Sequence, residues 1–241
     1  MNKRYFYCIA LVLFLVSCQS IKFKPQYQVL ETDNVRIFYK DGYINDAEYI
    51  MEGLNNKYEG IITKINPLYK DPIKVRIYKS AASLKATKNY GSESSQVFVD
   101  INDRNEIMII ANSSGDIPTN FDNMRIVVIH EFSHIVTRSI NSSLKLNAAW
   151  LWEAIAYYSA GQKRSSSRAK SYVDIKYLDI SSKWSDPWIS PLSYYIGEFI
   201  YSKWGVDGMI ELIKQNGNII RAFGISKKEY YSLWYDYMTN Q

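Results

Sequence analysis

All of the period-two apolar alternation in this chain lies before residue 112, and beyond Pro118 the apolar residues recur almost wholly at the helical spacing. That switch constrains the fold more than any other feature, because strands first and helices after make an α+β domain rather than a doubly wound one. YQVLETDNVRIFYKDG reads as two strands joined near Thr32-Asp33-Asn34, with a turn at Asp41-Gly42. NDAEYIMEGLNNKYEGIITKI reads as a helix capped by Asn45 or Asp46, with Ile50, Leu54, Tyr58, Ile61, Ile62 and Ile65 along one side. IKVRIY alternates Ile73, Val75 and Ile77 as a strand. A hairpin comes next, Gln96 to Ile101 and Glu106 to Ala111, turning at residues 102–105. Helices are expected over 122–140, 148–160, 191–204, 206–215 and 226–239.

The amino terminus reads differently. MNKRYFYCIALVLFLVSC has a basic start and an apolar run too short to span a bilayer, which is the pattern of an export signal. Its ending, Leu15-Val16-Ser17-Cys18, resembles the lipobox of bacterial lipoproteins. The resemblance implies that residues 1–17 are removed and that Cys18 carries acyl chains, several of which anchor stably where one does not. Residues 18–26 are then lipidated cysteine and tether, and 27–241 form one domain. The expected location is the bacterial cell envelope. Gln19 lacks the acidic character linked to inner-membrane retention, which favours the outer membrane where the organism has one.

Charge and cysteine usage then exclude several functions. Formal charge is +5, and losing Lys3 and Arg4 leaves +3, too mild for a nucleic-acid partner. Cys8 leaves with the signal and Cys18 is lipidated, so there is no cysteine nucleophile and no disulfide. No G-x-S-x-G elbow is present.

The only two histidines, His130 and His134, share the segment VVIHEFSHIV. Four apart on a helix they project from one face, with Cβ atoms about 6 Å apart, a natural spacing for two ligands on one zinc ion. Glu131 sits about 100° round the helix, where it reaches water near the metal without being a ligand. An unpaired carboxylate in an apolar helix is costly without such a task. In LNAAWLWEAIAYYSAG, Asn147 is a plausible N-cap and Gly161 a plausible C-terminal stop. Its one charged residue, Glu153, is either a paired structural charge or the third ligand. The stretch AGQKRSSSRAKS, 160–171, reads as a polar loop, its basic cluster a solvated surface or a binding patch.

H-E-x-x-H, then eighteen residues, then Glu153 is similar to the pattern of gluzincin zinc metallopeptidases. Trp150 to Tyr158 resembles the W-L-N-E-G-F-A-x-Y segment of the M1 aminopeptidase family, and in size the chain is most like peptidase MA-like domains. Trp152 stands where that family has Asn, and Ala154 where it has Gly. The resemblance implies a zincin-like fold: a mixed N-terminal β-sheet, the H-E-x-x-H helix, and a mainly helical remainder. It implies zinc on His130, His134 and Glu153, and Glu131 as general base. PLSYYIGEFIYSKWG resembles the Y-x-x-G helix whose tyrosine contacts the tetrahedral intermediate; the register with Gly197 gives Tyr194, with Tyr195 next to it. Trp184 and Trp188 either line the cleft or pack, and Glu106 to Ala111 is the expected edge strand for a bound peptide. The G-x-M-E-N segment of aminopeptidases is absent upstream of His130.

The expectation is a monomeric, membrane-anchored zinc peptidase acting on a peptide or protein. The alternatives are an inactive zincin-fold lipoprotein serving as a binding module, and zinc hydrolysis of a non-peptide amide.

Overall fold

The computed structural model describes residues 27–80, 82–84, 97–99, 106–110, 121–173 and 187–241. Strands β1 (Gln28–Glu31) and β2 (Val35–Tyr39) form the expected antiparallel pair. Thr32 ties their connection, its amide donating to the Val35 carbonyl at 2.8 Å and its hydroxyl accepting from the Val35 amide at 3.2 Å. Strand β3 (Ile73–Tyr78) runs parallel to β2, and a parallel neighbour needs a crossover. Helix α1 (Ile44–Ile65) supplies it, burying Ile50, Leu54, Tyr58, Ile61, Ile62 and Ile65 on the side read from the sequence. The helix begins at Ile44 with no side-chain cap, so Asn45 and Asp46 lie inside its first turn rather than capping it. There Asp46 complements the exposed amides of the helix start. Asn66, before Pro67, is extended and ends the helix.

Strands β4 (Val97–Val99) and β5 (Glu106–Ile110) are the antiparallel hairpin partners; the turn between them lies outside the described residues. Sheet order is β1-β2-β3-β5-β4, a mixed five-stranded sheet. This corrects one expectation: Glu106 to Ile110 is not an edge. It is paired on one side to β3 and on the other to β4, so β4 is the outer strand at that end. The burial of Glu106, Ile107, Met108 and Ile109 in succession is what a strand covered on both faces requires. Glu106 is tolerated there because Arg76 bonds its carboxylate, with the guanidinium between the rings of Tyr27 and Phe38 at 4.9 and 4.5 Å.

Beyond the sheet the described residues are mainly helical: α2 (Phe121–Ile140), α3 (Leu144–Asn147), α4 (Ala149–Ala160), α5 (Ser166–Lys170), α6 (Ile189–Lys214), α7 (Ile219–Phe223) and α8 (Lys227–Thr239). Gly205, at φ 64° and ψ −160°, breaks α6 where the sequence places a boundary. Short α3, α5 and α7 have no counterpart in the sequence pattern. Asn147 closes α3 and does not cap α4, whose N-cap is Ala148 without a side-chain bond. The Asn147 amide instead donates to Ser143 and Asn216. Trp188 is buried at the start of α6; Trp184 lies outside the described residues.

Helix α4 is apolar nearly all round and sits in the middle of the molecule, as such a helix must. It packs against α2 on one side and α6 on another. Gly197 makes the second contact close: a Cβ there would stand 2.5 Å from the Ala154 carbonyl oxygen.

Candidate metal centre

The apolar side of α2 anchors it: Val128, Phe132, Ile135 and Val136 are buried, Phe132 stacking on Tyr58 of α1 at 5.3 Å. That fixes the roll of the helix and turns His130 and His134 together toward α4. Their rings lie edge to face with centroids 4.6 Å apart. On α4, Glu153 points back at both. Its Oε2 is 3.4 Å from His130 Nε2 and its Oε1 3.4 Å from His134 Nε2. The three ligand atoms all lie within 4.8 Å of one another, and all three residues are buried.

This set fits a zinc ion. Bonds of about 2.1 Å in a tetrahedron place ligand atoms about 3.4 Å apart, and each histidine stands that far from one of the two Glu153 oxygens. Protonation suits at two of the three groups. Burial opposes the charge on Glu153, but the bonds from His130 and His134 overcome it and hold the carboxyl down at about 2. Burial drives His134 down to about 4, so its ring is neutral at pH 7. For His130 burial again lowers, yet Glu153, Glu131 and Gln162 together raise it overall. Two imidazoles and a carboxylate thus converge closely enough to hold a metal ion between them.

Glu131 is half-buried and has neither hydrogen bond nor ion pair among the described residues. Burial pushes its carboxyl up to about 7; His130 opposes, Glu153 adds, and Lys145 opposes. Its carboxyl thus lies in the field of the cluster with its pKa pushed toward neutrality.

Tyr194 stands apart from that group. Its hydroxyl donates to Glu198 Oε1 at 3.1 Å, its ring packs on Tyr158, and among the described residues it makes no hydrogen bond or ring contact with His130, His134 or Glu153. Burial, then the Glu198 charge, push its phenol up to about 12. Tyr195 is buried, with its hydroxyl given to the Arg164 carbonyl at 2.7 Å.

Three neighbours contact the histidines in ways that the sequence does not specify. Trp152, a departure from the aminopeptidase segment, stacks flat on His134, 4.3 Å between centroids and 8° between planes. Tyr157 sets its ring edge-on to His130 at 5.1 Å and donates its hydroxyl to Ser190. Gln162 places Oε1 2.7 Å from His130 Nδ1. Tyr157 is within reach of sequence reasoning, being one helical turn beyond Glu153. Gln162 lies past the helix stop, where spacing rules no longer say which way a side chain points. The chain matches no known protein-family model and no curated protein.

Proposed function

We propose that this protein is a zinc-dependent peptidase of the gluzincin kind, with the zincin-like arrangement of sheet, H-E-x-x-H helix and glutamate helix. The observation that carries the reading is the convergence of His130, His134 and Glu153 beside Glu131, whose carboxyl burial pushes up to about 7. His130, His134 and Glu153 would hold the metal. Zinc in such a site supplies a Lewis acid that acidifies water and polarises a carbonyl oxygen.

The chain's own groups do the rest. Glu131, in its ionised form, takes a proton from the water whose oxygen attacks the scissile carbonyl carbon. As the carbon–nitrogen bond breaks, Glu131 returns that proton to the leaving amine. Tyr194 is the proposed donor to the oxyanion, its hydroxyl turning from Glu198 to the substrate; the Tyr195 hydroxyl is committed to the Arg164 backbone. A substrate backbone extends the sheet at β4, the outer strand beside α2.

The test is cleavage of a peptide library by the zinc-loaded protein. Wild type should cleave, and Glu131→Gln should lose about 10²- to 10⁴-fold while keeping one zinc per chain. Folded wild-type protein with one zinc that cuts no peptide would sink the peptidase reading.

Attachment to the envelope through acylated Cys18 belongs to the same proposal and rests on the lipobox-like Leu15-Val16-Ser17-Cys18, outside the described residues. No described helix is long and apolar enough to cross a membrane. In a bacterial host, labelled fatty acid should enter the wild type and not Cys18→Ser, and only the wild type should sediment with membranes. Equal labelling of both would end the idea.

A further inference from the structure

The turn that ends α4 reaches back to the metal ligands. Gly161 takes a left-handed conformation, φ 72°, which suits glycine. The chain then doubles over the last helical turn: the Gly161 amide donates to the Tyr158 carbonyl at 3.1 Å and the Gln162 amide to the Tyr157 carbonyl at 2.8 Å. Two residues on, the Arg164 carbonyl accepts the Tyr195 hydroxyl of α6, and the Lys163 ammonium lies 5.4 Å from the ring centres of both Tyr194 and Tyr195. Residues 161–164 are thus pinned at both ends. From the middle of this clasp the Gln162 side chain meets His130, Oε1 to Nδ1 at 2.7 Å.

We infer that Gln162 is a positioning residue for the metal ligand His130, its carboxamide oxygen accepting the Nδ1 proton so that Nε2 presents its lone pair beside Glu153. The inference rests on the zinc reading of the site. An imidazole ligand gives its two nitrogens separate duties. The nitrogen facing the metal must be bare, so the other carries the proton, and in most such ligands an acceptor holds it. Glu153 faces Nε2, and Gln162 is the acceptor at Nδ1. Tyr157 closes the ring's flank, so with the Gln162 bond made the imidazole has one orientation. His134 is held by other means: its Nδ1 is buried with no partner among the described residues, and the flat face of Trp152 fixes its plane. Of the two ligands, His130 is therefore the one whose tautomer a neighbouring side chain sets.

The experiment compares Gln162→Met, which keeps length and packing but removes the acceptor, with Gln162→Glu, which keeps an acceptor. Zinc affinity is read by competition with a chromophoric chelator on the full chain. The Nδ1 proton of His130 is read by nitrogen-15 NMR of the zinc-loaded protein, where two histidines make assignment simple. Gln162→Met should bind zinc about 10- to 100-fold more weakly and lose the slowly exchanging Nδ1 proton. Gln162→Glu should restore both, an outcome that a purely space-filling role does not produce. Wild-type affinity and a protected proton in Gln162→Met would overturn the inference and leave the zinc site standing. A wild type that binds zinc no better than a His134→Ala variant would overturn the zinc reading and this inference with it.

Discussion

The two glutamates of the site, Glu131 and Glu153, both neighbour His130 yet are driven in opposite directions, and this makes them separable by pH. Glu131 has a folded pKa of about 7 against 4.5 for the free group, so the metal-free fold holds the proton more tightly than the unfolded chain does. Stability is therefore lost as pH rises from 4.5, until the loss levels off above about 7. Glu153 is the reverse: its pKa of about 2 means that it stabilises fully above 4.5 and ceases to as pH falls toward 2. In chelator-treated protein, Glu131→Gln should melt above wild type at pH 8, by on the order of 1–3 kcal/mol of stability, with the gap closing toward pH 5. Glu153→Gln should melt below wild type at both values. Thermal melts followed by circular dichroism decide it; a Glu131→Gln gap that ignores pH would show that its carboxylate is solvated after all. The same residue that costs the empty fold something is the one proposed to do the chemistry, which is where such a cost is expected.

Among the elements, those legible in the sequence are legible through period and length. Helix α1 and the alternating β2 and β3 can be read because each buries one clean face, and only one register does that. Glu153 stands out because every neighbour along α4 is uncharged and mostly apolar, and Gly205 because a helix pattern restarts after it. The short helices α3, α5 and α7, each of four or five residues, escape because one turn carries too few positions to show a period. The place of β5 escapes for another reason. Its apolar run Ile107-Met108-Ile109-Ile110 is the signature of an interior strand, yet which neighbour flanks it depends on pairings far apart in sequence. Asn147 misleads because a good capping residue also makes a good side-chain bridge, and here it joins the ends of α3 and α6 through Ser143 and Asn216. Of the site, the three ligands and Glu131 can be named by spacing and resemblance. Gln162 and the commitment of Tyr195 to Arg164 cannot, since both depend on how a non-helical turn folds back over α4 and α6.

At the level of the whole molecule, the three ligands do not belong to one element. Two come from α2, which leans on α1 and the sheet, and one from α4, which is wedged between α2 and α6. A cation held between them would bond the sheet-side layer of the protein to its helical layer, so that metal binding and folding would be one equilibrium. Ligand that binds only the folded chain stabilises it by RT ln(1 + [L]/Kd), about 4 kcal/mol when free metal is roughly a thousand times Kd. For a domain of this length that corresponds to a rise on the order of 10 °C in the melting midpoint. Zinc should produce it; magnesium, which prefers octahedral oxygen ligands, should not. Because His134 is buried and neutral at pH 7, His134→Ala should abolish the zinc response while leaving α2 helical, its apolar face being intact. With zinc bound, the melt should also become one transition in which both layers unfold together. A zinc shift that persists in His134→Ala would place the bound ion elsewhere on the molecule. A shift confined to the helical layer would mean that α2 and α4 are held together by packing alone, with Glu153 a paired charge and not a ligand.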